Sequence, residues 1–323
     1  MKFGKKSVRK LVLKIHPSPI TLFDHRSKNL DDYAFWHELN TKRKTQVYGH
    51  FYANADQFHS LPPWEKSRVR ALACGLSAHS AVVVSLAAAR LWGMDTLAMY
   101  SFPELSPFAG KPAPSRSQWA KTCTYRYAKL PASSVVAFKN LRVATPERAV
   151  IDTARWHSFA EALTVADHYL TAVPHKKKLW AELDKIGRAK GSARARRMIK
   201  EARFGIDSAA ESWARAQILD SDLPYNKLET QREVYAKGEK FYLDIVLDDF
   251  LVIEVDGRKK YQGDEDEIHR ISADELQREK QIKNKGYEVV RCDWAMLRDD
   301  QLIPTLREIY SRPSRRPSRL NFS

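Results

Sequence analysis

The segment FYLDIVLDDFLVIEVDG, which begins at Phe241, constrains the fold of this chain more than any other part of its sequence. Two runs of β-branched and aromatic residues flank an Asp-Asp pair, a pattern that predicts two short strands joined by a tight turn. Asp244 lies in the first run, and Glu254 and Asp256 lie at the end of the second. Because side chains alternate along a strand, Glu254 and Asp256 share a face.

The turn decides whether Asp244 joins these two acids. A two-residue turn made of the Asp-Asp pair would set Asp244 opposite Ile253, on the side away from Glu254. An odd-length loop or a bulge would instead bring Asp244 and Glu254 to the same side. We therefore predict a three-residue loop or an equivalent bulge.

Three converging carboxylates would be costly in an otherwise apolar strand pair, since each raises the pKa of its neighbours unless a cation compensates. Hard oxygen ligands select Mg²⁺ or Mn²⁺, so we expect Asp244, Glu254 and Asp256 to bind one of these ions. Such an ion could activate a water for attack on a phosphodiester. The alternative interpretation is that Asp244 marks a strand edge and that Asp256 and Gly257 form a turn.

Glu211 is a further candidate catalytic residue. It lies in SAAESWARAQIL, a predicted helix before the strands, from which it could reach the same site. Ser208 and Glu211 also have the spacing of a capping box, in which the glutamate serves only its own helix. The sequence leaves both roles open.

The C-terminal region, residues 204–312, has a predicted α-β-β-β-α-β order. Its predicted elements are a helix at Ser208–Leu219, strands at Thr230–Tyr235, Lys240–Leu247 and Phe250–Val255, a helix at Asp274–Lys285, a strand at Tyr287–Arg291 and a final helix to about Tyr310. The last segment, residues 313–323, is rich in Pro, Ser and Arg and is predicted to be a disordered basic tail.

Upstream, we predict a mainly helical α+β region. Residues 1–64 read as a small winged-helix-like unit with strand formers at Gln46–Ala53, and residues 65–203 as a second unit. That unit has predicted strands at Thr122–Tyr127 and Ser134–Val143 and a helix start at Thr145. The basic stretch Lys176–Arg203 is either a solvated helix face or a DNA-backbone contact.

Charge and composition restrict the partners. The chain has 55 Lys and Arg against 39 Asp and Glu, a formal charge of +16, which favours a polyanion such as nucleic acid. Its three cysteines lack zinc-site or disulfide spacing, as expected of a reducing cytoplasm. The longest apolar run, Ala81–Ala89, is too short to span a bilayer, and no secretory signal is recognised, so we expect a cytoplasmic protein without a membrane partner.

Around the candidate acids Glu211, Asp244, Glu254 and Asp256, the C-terminal region resembles an uncharacterised bacterial endonuclease-like family. This family is related to the very-short-patch-repair endonucleases, in the PD-(D/E)XK superfamily. The motifs that carry the resemblance are SAAES at Ser208, LDIVL at Leu243, VIEVDG at Val252, QRE at Gln277 and GYEVVRCDWAML at Gly286. The resemblance implies a restriction-endonuclease-like α/β core in which Asp244 and Glu254 bind the metal, Asp256 assists and Glu211 contributes from its helix.

The chain departs from the superfamily pattern at its third catalytic position. Asp256 stands where that pattern has lysine, so the usual stabilising positive charge is missing there. Arg258, Arg278 or Lys280 could supply it from another position, and ordinary surface roles for these three are the alternative.

The upstream region, about residues 65–200, is similar to AbiEi-type antitoxins in the segments SAHSAVVVSLAAARLWGM, VATPERAVIDTARW and EALTVADHYL. Together the resemblances imply a Mg²⁺-dependent DNA endonuclease or nickase in repair, defence or mobile-element biology, with a toxin or defence-system protein as one conceivable partner. The alternative is a DNA-binding antitoxin-like regulator with a degenerate nuclease fold. An RNA-processing nuclease stays open as well. Double-strand cutting would require two active sites and hence a homodimer.

Overall fold

The described part of the chain is mixed α/β, with three sheets of five, four and three strands. A computed structural model describes residues 13–27, 32–78, 80–108, 112, 114–115, 117, 119, 121–127, 129–236, 239–256 and 284–312. These residues divide into two compact units, residues 13–202 and residues 203–312. No helix in the described ranges is both long enough and apolar enough to cross a membrane.

The first unit contains two of the sheets, eight α-helices and a short 3-10 helix (Ala132–Ser134) among its described residues. Its strands are β1 (Phe23–Asp24), β2 (Lys44–Tyr48), β3 (Phe51–Asn54), β4 (Ala81–Val83), β5 (Glu104–Pro107), β6 (Thr124–Tyr125), β7 (Val135–Phe138) and β8 (Leu141–Ala144). Its helices are α1 (Asp32–Asn40), α2 (Ala55–Ser60), α3 (Pro63–Ser77), α4 (Ser85–Leu91), α5 (Pro146–Trp156), α6 (Phe159–Ala172), α7 (Lys177–Ile186) and α8 (Ser192–Glu201). The strand orders are β1-β3-β2 and β6-β5-β4-β8-β7.

Local signals in this unit predict some elements well and others poorly. The predicted start of α5 is confirmed, with Thr145 Oγ1 accepting a hydrogen bond from Arg148 N and Pro146 in the first turn. The single strand predicted from Ser134 to Val143 is wrong, because the chain reverses and forms the antiparallel pair β7 and β8. Lys139, between them, has a φ of 49°, a left-handed turn conformation that its residue type does not indicate.

The described residues of the second unit form one sheet with helices packed against it. Its elements are α9 (Ala209–Asp220), β9 (Leu228–Ala236), β10 (Glu239–Leu247), β11 (Leu251–Val255), β12 (Glu288–Cys292), α10 (Trp294–Arg298) and α11 (Leu302–Ser311). The strand order is β12-β11-β10-β9, with β9, β10 and β11 antiparallel and β12 parallel to β11. The predicted helix at Asp274–Lys285 falls almost wholly in residues 257–283, outside the described residues.

The larger of two apolar clusters among the described residues of this unit fixes the position of its strand ends. Side chains of α9, α10 and α11 pack with those of β10, β11 and β12, and the buried members include Ala214, Ile245, Ile253, Cys292 and Leu306. Burying such aliphatic side chains contributes about 1.5–3 kcal/mol each for the larger ones. The core therefore anchors α9 to the strands that carry Asp244 and Glu254.

Candidate active site

The loop between β10 and β11 has three residues. Leu247 pairs with Leu251, so Asp248, Asp249 and Phe250 form the turn, and the predicted odd-length loop is confirmed. Asp248 stabilises it because its Oδ1 accepts hydrogen bonds from Asn226 N (2.7 Å) and Lys227 N (2.8 Å). The Asp-Asp pair therefore serves the turn that sets the register.

That register brings Asp244 and Glu254 together at the point where backbone pairing stops. The β10–β11 ladder ends at the pair Ile245 and Ile253, and Asp244 and Glu254 are the next residues on the two strands. Asp244 Oδ2 accepts a hydrogen bond from Val255 N at 2.9 Å, so a carboxylate bridges the two strands there. Asp244 is interior to β10 and also lies beside β9, which excludes the strand-edge interpretation.

Asp256 lies beside β12. Its N–H donates to the Cys292 carbonyl oxygen at 2.8 Å, which continues the parallel pairing beyond the end of β11. Burial, with the Asp293 and Asp256 carboxylates as further causes, raises the pKa of the Cys292 thiol to about 12. Asp256 is thus close enough to β12 to influence that thiol, while Gly257 and the turn interpretation lie outside the described residues.

The backbone and the side chain of Glu211 make different contacts. Its backbone N–H donates to Ser208 Oγ at 3.1 Å, the first half of a capping box. Its carboxylate does not complete the box: Oε2 accepts instead from Asp207 N (3.4 Å) and from Gln231 Nε2 (2.7 Å). The backbone of Glu211 therefore caps α9, and its side chain reaches the strands.

The environment of Glu211 disfavours negative charge. The residue is only 5% exposed, and burial raises the pKa of its carboxyl to about 8, with the Asp244 and Asp207 charges as the next causes. Hydrogen bonds from Asp207 N and Ser208 oppose this shift, and Arg215, four residues later on α9, is also buried. The pKa of Glu211 stays raised despite these two hydrogen bonds.

Gln231 is a site residue that sequence reasoning missed. Its Nε2 donates to Glu211 Oε2 and, at 3.3 Å, to Asp244 Oδ1, so one amide joins the two carboxylates. The pairs on either side, Arg232 with Leu243 and Thr230 with Ile245, set Gln231 opposite Asp244. A glutamine in a predicted strand gives little sequence signal, since only the register of β9 against β10 reveals this placement.

Arg291 is a second residue that the sequence did not indicate. It pairs with Glu254 across the parallel strands β11 and β12 and is exposed. Arg258, Arg278 and Lys280, the predicted sources of positive charge, lie outside the described residues. Among the described residues, Arg291 is thus the cation that occupies the strand position directly beside Glu254.

The carboxylates offer a partial cation site. Within the part of the chain that the structure describes, no three His, Cys, Asp or Glu side chains are grouped so as to hold a metal ion. The predicted set of Asp244, Glu254 and Asp256 is therefore not a ready-made three-ligand cage. Mg²⁺ commonly binds through one or two carboxylates and takes its other ligands from water and substrate phosphate. Asp244 and Glu254 fit that smaller requirement, and the shared negative charge around Glu211 fits a cation nearby.

A basic surface lies on the first unit, in the stretch predicted to be either solvated or DNA-binding. Helices α7 and α8 bury apolar side chains such as Leu179 and Met198. Their exposed positions carry positive charge, at Lys177, Lys178, Lys185, Arg196, Arg197 and Lys200. Lys185 also bonds to the buried Glu182 at 2.9 Å, so part of this charge serves the fold.

No family model, curated protein or solved structure matches this chain. The resemblances to the endonuclease-like and antitoxin families rest on the sequence motifs and stay predictions. The function of the protein is therefore inferred from the residues and geometry of the candidate site.

Proposed function

We propose that the second unit is a divalent-cation-dependent DNA endonuclease or nickase of the PD-(D/E)XK type. The observation that carries this proposal is the juxtaposition of Asp244 and Glu254 where the β10–β11 ladder ends, with the buried Glu211 joined to Asp244 through Gln231. Placing half-buried carboxylates at neighbouring strand positions beside a buried one costs stability unless a bound cation offsets their charge. A cluster of this kind therefore favours an active site over a purely structural network.

In this proposal Asp244 and Glu254 hold Mg²⁺ or Mn²⁺, with Asp256 at the end of β11 assisting. When bound, the ion supplies a water of lowered pKa and positive charge for the phosphate. The Asp244 carboxylate is already oriented by Val255 N and Gln231 Nε2, so little side-chain motion is required to present its oxygens. Arg291, beside Glu254, supplies the positive charge that Asp256 cannot.

DNA is the proposed substrate because the chain is strongly basic and a phosphodiester is the group that such a site would hydrolyse. The basic positions of α7 and α8 are proposed to contact its backbone. Such contacts are electrostatic, so the affinity for DNA should fall steeply as salt is raised. Measuring affinity between about 50 and 200 mM salt, with and without charge reversal at Arg196 and Lys200, tests this part of the proposal.

Plasmid cleavage tests the proposed reaction. Purified protein is incubated with supercoiled plasmid and Mg²⁺ or Mn²⁺, and with EDTA, alongside the variants D244N and E254Q. We expect cation-dependent nicking or linearisation that both variants abolish. Matched controls are D222N and E308Q, which remove exposed charges paired with Arg307 and Arg312 and should leave cleavage intact.

The second candidate function is a DNA-binding, antitoxin-like regulator with a degenerate nuclease fold. Asp256 in place of the superfamily lysine favours it. Wild-type protein that binds DNA but leaves supercoiled, linear and single-stranded substrates intact would support the regulator and reject the nuclease. Cleavage of single-stranded RNA in place of DNA would change the substrate class. Linear product without a nicked intermediate would indicate two active sites acting together, as in a homodimer.

A further inference from the structure

The backbone at Gln231 is unusual for a residue inside a strand. Its φ is 54°, in the left-handed region that non-glycine residues rarely adopt, yet it lies in the middle of β9. The β9–β10 pairs on both sides keep one constant register, so no residue is inserted on one strand alone. The distortion is confined to the residue opposite Asp244. Such local strain persists only where surrounding interactions maintain it, and it is most frequent at functional sites.

The distorted backbone coincides with a specific side-chain arrangement. One amide nitrogen, Gln231 Nε2, donates to Glu211 Oε2 at 2.7 Å and to Asp244 Oδ1 at 3.3 Å. An amide nitrogen has two hydrogens, which allows one for each carboxylate. Gln231 is thus a neutral donor between two acids on different elements, α9 and β10.

We propose that Gln231 is a positioning residue that holds the Asp244 and Glu211 carboxylates in the geometry required for cation binding. This inference rests on the proposed nuclease function and adds a residue to it. A neutral donor suits the role, because it orients both carboxylates and leaves their negative charge for the cation. A lysine or arginine at position 231 would compete with the cation for the same oxygens.

A purely structural role would have a different consequence. If Gln231 served only to join α9 to the sheet, removing its amide would lower stability and leave the affinity for a cation unchanged. The left-handed backbone allows these two roles to be separated. Glycine adopts this φ without strain, and asparagine tolerates it better than most residues.

The variants Q231G and Q231N therefore preserve the backbone and remove or shorten the amide. Asparagine lacks one methylene, so its amide cannot reach both carboxylates in the same way. Q231A is the matched comparison, since it also removes the amide but retains a Cβ at an unfavourable φ. All variants are made in the full chain, and thermal unfolding without metal is measured for each.

Mn²⁺ binding by calorimetry or by electron paramagnetic resonance is the primary readout, and plasmid cleavage is the second. We expect Q231G and Q231N to unfold at a temperature near that of the wild type and to bind Mn²⁺ about 10–100-fold more weakly, as for other groups that orient metal ligands. Q231A should lose both stability and affinity. Wild-type Mn²⁺ affinity in a well-folded Q231G would overturn the inference alone. A wild-type protein that neither binds Mn²⁺ nor cleaves DNA would overturn the proposed function and this inference together.

Discussion

Two buried carboxylates, Asp152 on α5 and Glu211 on α9, have different neighbours: Asp152 is paired with two arginines, and Glu211 lies near further acids. Asp152 is fully buried and accepts hydrogen bonds from Arg148 Nε at 2.8 Å and Arg155 Nη1 at 2.7 Å. Burial raises the pKa of Asp152, but both guanidinium groups oppose that shift. For Glu211, burial and the neighbouring Asp244 charge act in the same direction and raise the pKa to about 8.

This difference separates a structural network from a candidate site. In the first unit the charges of Asp152 and its arginines compensate one another, so the network favours one packed arrangement of α5. In the second unit the carboxylates lie near one another, and the main orienting group is a neutral amide. The cost of ionising Glu211 is one that a bound cation could remove.

The largest expected effect comes from breaking the compensated network. The variant D152N is nearly isosteric but removes the carboxylate bound to Arg155 and leaves Arg148 with Glu182, whose Oε1 lies 3.6 Å from Arg148 Nη1. Breaking such a buried pair costs about 3–5 kcal/mol. Thermal or urea unfolding of the full chain measures the loss. The control D299N removes an exposed partner of Arg298 and should change stability by less than about 1 kcal/mol. Equal effects of the two substitutions would contradict the structural role of Asp152.

Removing the charge of Asp152 should destabilise the protein, whereas removing the charge of Glu211 should stabilise it at high pH. In the folded protein the pKa of its carboxyl, about 8, exceeds the ordinary glutamate value of 4.5, so the folded protein retains a proton that the unfolded chain has lost between these pH values. Stability should therefore be highest below about pH 4.5 as far as this group is concerned, and should fall through pH 8.

The variant E211Q should remove that part of the pH dependence, on the order of a few kcal/mol across the window. Unfolding temperatures at several values from pH 5 to pH 9 measure it, with E308Q as the exposed control. In the wild type, Mn²⁺ should stabilise more at the upper end of this range than at the lower end, because the cation favours the ionised carboxylate. Parallel pH profiles for wild type and E211Q would refute the assignment of this cost to Glu211.

Arg291 tests whether positive charge beside Glu254 contributes to the proposed reaction. We expect R291A to lower kcat/KM for DNA cleavage by about 100–1000-fold, the range found in kcat when a group that stabilises developing charge is removed. R291K, which retains the charge, should recover part of the activity. R298A, which removes an exposed cation of the same unit, is the control. Full activity in R291A would show that the positive charge of Arg291 does not contribute to the reaction.

How far the sequence predicts this site can be judged residue by residue. The requirement that Asp244 and Glu254 share a side of the strand pair predicted the three-residue loop, which the pairing of Leu247 with Leu251 confirms. That inference succeeded because the two strands are joined by a short loop, which leaves few possible registers. The mixed α/β class followed from periodicity in the same way.

Gln231 and Arg291 could not be found by the same reasoning. Gln231 depends on the pairing of β9 with β10 and on an abnormal backbone angle, neither of which its residue type reveals. Arg291 depends on the pairing of β12 with β11, which are separated by a long segment of chain, so the local sequence does not fix their register. The chain reversal at Lys139 was not predicted for a related reason: lysine is not a residue typical of left-handed turns.

The smallest expected effect compares two strained residues, Lys139 in the first unit and Gln231 in the second. Both have left-handed φ values, 49° and 54°, but Lys139 lies in the turn between β7 and β8, where no candidate site has been identified. The variant K139G should relieve about 1–2 kcal/mol of strain and lose about 0.5–1 kcal/mol to the greater freedom of glycine in the unfolded chain. We expect a net stabilisation of about 0.5–1 kcal/mol, measured by urea unfolding. Mn²⁺ binding and DNA cleavage by K139G should be unchanged.

Q231G should relieve similar strain yet weaken cation binding. If K139G weakened cation binding as much as Q231G does, the loss in Q231G would reflect a general change in the fold, and the distinction between a strained turn and a strained site would fail.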